Sequence, residues 1–205
     1  MHFELLVEEL SVKVALDNLL PRILGGRAEC EIYPHQGKQH LLRRLPNLLR
    51  GYSHWLPDDW KIVVLVDEDR QDCHALKQQM EETAARAGLH TKSRPGEDGN
   101  FQVINRIAIE ELEAWFFGDV PALRQVYSRI PESLHQQSPY RDPDAIGGGT
   151  WEALERLLVH HNYFGQTAGM PKIEVARQIS AHMNPEVNRS RSFQVFRDAL
   201  FSLID

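Results

Sequence analysis

The sequence predicts an α/β protein in which a mostly parallel sheet of about four strands lies between helices, followed by a C-terminal helical extension. Three observations carry that expectation. Over the first 118 residues, short apolar runs alternate with segments of helical periodicity, the pattern of βαβ units. The run IVVLV, Ile62 to Val66, is aliphatic or β-branched throughout, as in a strand covered on both faces of a parallel sheet. After Asp119, apolar residues recur only at helical spacing.

The elements follow in order. The opening run FELLVEE is a strand ending in acids, and Ser11 with VKVALDNLLPRIL reads as a turn and a helix. CEIY is a second short strand and HQGK a turn. QHLLRRLPNLLRGY is a helix that Pro46 is expected to kink or divide. IVVLV then stops abruptly at Asp67. The segment from Arg70 to Ala87 is an amphipathic helix with Gly88 placed as its C-cap. HTKSR is a candidate for a further strand, PGEDGN is a loop, and FQVINRIAI is a strand leading into EELEAWFFGD. Four helical segments, PALRQVYSRI, TWEALERLLVHHNYF, PKIEVARQISAHM and FQVFRDALFSLI, make up an extension over residues 119–205, expected to pack on a sheet domain of residues 1–118.

A chain of 205 residues, 42% hydrophobic and 25% charged, is long enough to bury a core without staples. Its net charge of −6 argues against a generic basic nucleic-acid coat protein. That charge leaves room for an enzyme whose acidic site holds a metal and whose substrate grips, such as Arg43, Arg44 and Arg50, are local. Cys30 and Cys73 lie far apart, without the spacing of a zinc site. No basic leader precedes an apolar stretch, and no run approaches the roughly 18 apolar residues that a membrane span needs. A cytosolic protein with reduced thiols and no membrane contact is expected.

Acids collect where the predicted strands end: Glu8 and Glu9 after the first, Asp67, Glu68 and Asp69 after IVVLV, and Glu110, Glu111 and Glu113 after the last. Open α/β sheets bind ligands at that edge. Like charges crowded there repel unless a proton or a cation offsets them, and hard oxygen ligands favour Mg²⁺ or Mn²⁺. In an extended segment Asp67 and Asp69 share a face while Glu68 points away. The alternative is that these acids cap helices. Glu113 is a further metal ligand or network acid, and Trp115 belongs to the core. Gly37 and Lys38 open the second helix, where a backbone N–H and an ammonium suit a phosphate; a plain surface turn is the other reading. Ser192 is expected to cap the last helix, with Arg189 and Arg191 beside it as phosphate or partner contacts.

The runs VEELS, HQGKQHLL, VLVDEDRQDCHALK, RIAIEELEAWFFGD and the terminal SRSF cover nearly the whole chain in order. Together they resemble a Toprim-like family of small uncharacterised bacterial proteins, often associated with an ATPase in phage-defence loci. In the Toprim pattern one apolar strand ends in an essential Glu and a later one in Asp-x-Asp. The general motif has Gly after its Glu where this sequence has Glu9, so Glu8 is the best match to the essential acid and Glu9 competes with it. The resemblance implies Glu8 as general base or metal ligand, Asp67 and Asp69 holding Mg²⁺ or Mn²⁺, and Lys38 on a phosphate. It implies a metal-dependent nuclease acting on DNA or RNA with a partner ATPase, or alternatively a non-catalytic binding or regulatory subunit of such a complex.

Overall fold

The computed structural model describes residues 1–69, 71–165 and 169–204. Four strands, β1 (His2–Val7), β2 (Glu29–Pro34), β3 (Trp60–Asp67) and β4 (Val103–Ala108), form one sheet in the order β2-β1-β3-β4. Every pairing is parallel, so the α/β class read from the sequence holds. The α-helices among the described residues are α1 (Leu10–Leu24), α2 (Lys38–Tyr52), α3 (Cys73–Arg86), α4 (Glu113–Phe117), α5 (Val120–Val126), α6 (Thr150–His160), α7 (Lys172–Ser180) and α8 (Arg191–Phe201).

Strand β3 shows why the sheet is a three-layer structure. Its alternate residues feed different cores: Val63 and Leu65 join Phe3, Leu5 and Val7 on one face, while Ile62, Val64 and Val66 join Leu6 on the other. Helices α2 and α3 cover the second face through Leu41, Leu45, Leu49, Leu76 and Met80. The first face is covered by α1 together with the helices after Asp119, which share its apolar cluster as far as Leu200. Polar ties fix that layer: Asn18 on α1 donates to the Arg177 carbonyl at 3.1 Å, and Arg22 donates to the Met183 carbonyl at 2.8 Å. These side chains tie α1 to carbonyls in the last turn of α7 and just beyond it.

The crossovers decide where a site can lie. From β1 the chain steps through α1 to β2 on one side; it then returns through α2 to β3 and moves through α3 to β4 on the other. Right-handed crossovers require the helices of the two directions to lie on opposite faces, as they do. The direction reverses between β1 and β3, and it is beyond the carboxyl ends of strands at such a point that open α/β sheets bind ligands.

Three local expectations change. Helix α2 runs unbroken through Pro46, which lies on its exposed side, because Leu41, Leu45, Leu49 and Tyr52 bury the opposite face and hold the helix. HTKSR is a turn closed by Thr91 and Arg94, with single-residue bridges only. The Thr91 hydroxyl is committed to Glu81 and to the Arg94 amide, so the segment closes on itself before a strand can extend. The cap of α8 is Ser190, whose Oγ accepts from the Phe193 amide at 3.2 Å. Ser192 instead accepts Trp115 Nε1 at 3.0 Å, and Trp115 is fully buried against Phe193 and Phe196, as expected of a core residue. Both cysteines are free. No helix among the described residues is long and apolar enough to cross a membrane.

Candidate carboxylate site

Register places the first two acids. Val7 at the end of β1 pairs with Leu65, so β3 runs on for two more residues and delivers Asp67 beside Glu8. The Asp67 amide donates to Glu8 Oε2 at 3.3 Å. Both side chains are buried, Asp67 being only 3% exposed, and they stand at the switch point between β1 and β3. The turn after β2 braces the same spot, with the His35 amide on the Val7 carbonyl at 2.9 Å and the Gly37 amide on the Glu8 carbonyl at 2.7 Å.

Glu113 opens α4 beneath this pair. It is 0% exposed, and neither carboxylate oxygen has a hydrogen-bond partner. Burial pushes its pKa up to about 7, Lys172 offsetting only part of the effect. Asp67 is held well above the ordinary carboxylate range, by burial first and then by the negative charges of Glu8 and Glu113. Glu8 is raised too: burial outweighs its hydrogen bonds from Asp67. Burial and the neighbouring carboxylate thus favour the protonated form at both Glu8 and Asp67.

Lys172, the first residue of α7, is the cation that faces these acids. Its Nζ bonds Glu9 Oε1 at 2.6 Å and lies 5.5 Å from the centre of the Trp151 ring. Burial would lower its pKa, but Glu113, Glu9 and Asp67 raise it above the usual lysine value. Sequence reasoning passed over this residue. One signal was present: a lysine in the first turn of a helix opposes the helix dipole and needs an acidic neighbour to hold it there.

Asp69 is held elsewhere. The backbone turns left-handed at Asp69 (φ 52°), so Asp67 and Asp69 do not share the face that an extended segment would give them. Lys38 explains the turn. Its buried Nζ donates to the carbonyls of Asp67 and Glu68, both at 3.0 Å, and ion-pairs with the Asp69 carboxylate. Gly37, at φ 89°, supplies the left-handed step that starts α2 and aims Lys38 inward. Asp69 is 46% exposed and lines a cleft of about 610 Å³ with Lys38, Glu110, Glu111, Gly149 and Glu152. Glu111 there holds the start of α6, accepting from the Trp151 amide at 2.8 Å and the Thr150 hydroxyl at 3.1 Å.

The structure thus brings Glu8, Asp67 and Glu113 together with Glu9 and Lys172, and sets Asp69 apart on Lys38. Among the described residues no three Asp, Glu, His or Cys side chains are grouped closely enough to hold a metal ion by themselves. The donor chemistry still suits a hard cation. Magnesium takes one or two carboxylates and fills its remaining positions with water and phosphate oxygens. Glu8 and Asp67 can be those two, with the unpartnered oxygens of Glu113 close enough to act on Asp67.

Over residues 7–200 the chain matches the family described as Domain of unknown function (DUF4276). No curated protein and no solved structure matches it.

Proposed function

We propose that this chain, which belongs to the DUF4276 family, is a divalent-metal-dependent phosphodiesterase acting on DNA or RNA, with Glu8 and Asp67 as the carboxylates that hold Mg²⁺ or Mn²⁺. The observation that carries the reading is the buried Glu8–Asp67 pair at the switch point, crowded by an unpartnered Glu113. Such a cluster raises the energy of the empty site, and a cation or a proton relieves it. The choice of a phosphodiester rests on the resemblance to the Toprim pattern. That resemblance also supplies the setting of a phage-defence system in which an ATPase partner controls the activity.

A bound divalent cation would polarise the phosphodiester and lower the pKa of an attacking water. The protein residues do the rest. Lys38 pins the carbonyls of Asp67 and Glu68 and so fixes the strand end that presents Asp67. Its ammonium has three donors, and the third is spent on Asp69. A substrate phosphate takes Lys38 only by displacing Asp69, which frees that carboxylate at the mouth of the site. Glu113, with a pKa near 7, can accept or release a proton at working pH, as a general acid or base must.

A second reading, a non-catalytic regulatory subunit, draws on one observation: no three ligands converge among the described residues and Asp69 is committed to Lys38. Calorimetry with Mn²⁺ separates the two readings. Saturable binding that disappears in Asp67→Ala, together with Mn²⁺-dependent cleavage of DNA or RNA by the parent protein alone, is expected. A folded protein that takes up no Mn²⁺ at millimolar concentration would leave the regulatory reading in its place.

A further inference from the structure

The chain carries a net charge of −6, yet residues 32–57 contain no Asp or Glu and hold Lys38, Arg43, Arg44 and Arg50. Most of this stretch is α2. Its leucines face the core, and Arg43, Arg44 and Arg50 face solvent. His40 reports the local field: partial desolvation and the neighbouring Arg43, Arg44 and His35 all press its pKa down. A basic helix on an acidic protein is a polyanion surface by elementary electrostatics.

Beside α2 runs a groove of about 620 Å³, between that helix and the edge strand β2, lined by Tyr33, His35, His40, Arg44, Trp55 and Trp60, with the buried Glu4 at its base. Two of its aromatic residues stand in water: Trp55 is 55% exposed and Tyr33 40%. Trp55 is braced from beneath, its ring 5.3 Å from Tyr52 and edge-on to Trp60 at 5.9 Å. Those supports are fixed in turn. The Tyr52 hydroxyl donates to buried Glu4 at 2.7 Å, and Trp60 stacks on His2 at 3.8 Å. A rigid, wet aromatic platform next to guanidinium groups fits a nucleobase beside its phosphate, because stacking needs a free π-face and the backbone needs cations. At its upper end the groove reaches His35, whose amide binds the Val7 carbonyl one residue from Glu8.

We propose that this groove binds single-stranded nucleic acid, with bases stacked on Tyr33 and Trp55 and phosphates on Arg44, the exposed Arg43 beside it adding to the attraction, and leads the strand toward Glu8 and Asp67. Only the last clause rests on the proposed phosphodiesterase. A duplex does not satisfy the groove, since paired bases keep their faces inside the stack.

The test is fluorescence anisotropy of a labelled oligo-dT or oligo-U in EDTA, where no metal-dependent cleavage occurs. Binding that weakens steeply with salt is expected for the full-length protein. Trp55→Ala should weaken it about tenfold, and Arg43→Glu with Arg44→Glu by at least as much. Arg86→Glu, an exposed change on α3, should do nothing. All these side chains are solvent-facing, and circular dichroism checks that each variant folds. Strand binding is read in EDTA and Mn²⁺ uptake is read by calorimetry without oligonucleotide, so failure of the groove and failure of the metal site are distinguished. The proposal is overturned if no oligonucleotide binds, if a duplex of the same length binds as tightly, or if Trp55→Ala leaves the affinity unchanged while heparin competes equally well.

Discussion

Two buried glutamates on opposite faces of the sheet show the difference between a carboxylate that holds a fold and one that is free for chemistry. Glu81 on α3 is buried, but its oxygens accept from Asn105 Nδ2 at 2.9 Å, from the Thr91 hydroxyl and from Lys77 Nζ at 2.8 Å. Burial alone would raise its pKa; these partners bring it below the ordinary glutamate value. Lys77 is itself pushed down, burial outweighing the attraction of Glu81, as the cost of desolvating both partners leads one to expect. Glu113 is buried more deeply, has no hydrogen-bond partner on either oxygen, and is raised to about 7. Both side chains are shielded from solvent, Glu113 the more deeply, and the donors around Glu81 turn its shift the other way. The satisfied acid stabilises the native state, whereas the unsatisfied one stores electrostatic energy that a proton or a cation can release.

The largest effect that would sharpen this contrast is catalytic. Asp67→Ala should reduce Mn²⁺-dependent cleavage by about a thousandfold or more, on the scale seen when a group that stabilises developing charge is lost. Its melting temperature should stay level or rise, because a desolvated, repelled carboxyl is gone. Undiminished cleavage would remove Asp67 from the site. Next in size is Glu81→Ala, which leaves Lys77 and Asn105 without their partner inside the protein and should cost about 3 to 5 kcal/mol in urea unfolding. A loss under about 1 kcal/mol would break the comparison from the structural side.

The third effect is a pH slope of opposite sign at the two glutamates. Glu113 has a folded pKa above its unfolded one, so the native state binds the extra proton. Its contribution falls as pH rises from about 4.5 through about 7, by on the order of 3 kcal/mol in all. Glu81 has a lowered pKa, so its contribution is present above the unfolded value and is lost as pH falls. Unfolding curves from pH 5 to 8 should therefore decline less in Glu113→Gln than in the parent protein. Millimolar Mn²⁺ at pH 8 should recover part of the decline in the parent if the cation takes the place of the proton. The smallest effect is expected from Lys172→Met. Removing the lysine that opposes Glu9, Glu113 and Asp67 should cost about 1 kcal/mol without metal and tighten Mn²⁺ binding a few-fold, read by calorimetry. Weaker Mn²⁺ binding in that variant would mean that Lys172 supports the site rather than competing for it.

What the sequence determined by itself was local. The unbroken run Ile62–Val66 had to be a doubly covered strand because its neighbours along the chain alternate between two apolar layers. The acids Glu8, Asp67 and Glu113 were legible as a group because each follows a strand end, and parallel strands present those ends on one edge. Their environment was not legible. Glu8 and Asp67 are 59 positions apart, and only the strand order β2-β1-β3-β4 makes β1 and β3 neighbours. The left-handed turn at Asp69 depends on Lys38 arriving from α2, and the cation facing the cluster arrives from α7, more than a hundred residues beyond β3. Ser190, not Ser192, caps α8, and the Ser192 hydroxyl accepts from Trp115 and donates to Asp144 instead. Periodicity fixes which residues face a core, because it repeats within a few positions. Which charge meets which is a long-range matter, settled only when the layers close and each buried group takes the partners that packing leaves within reach.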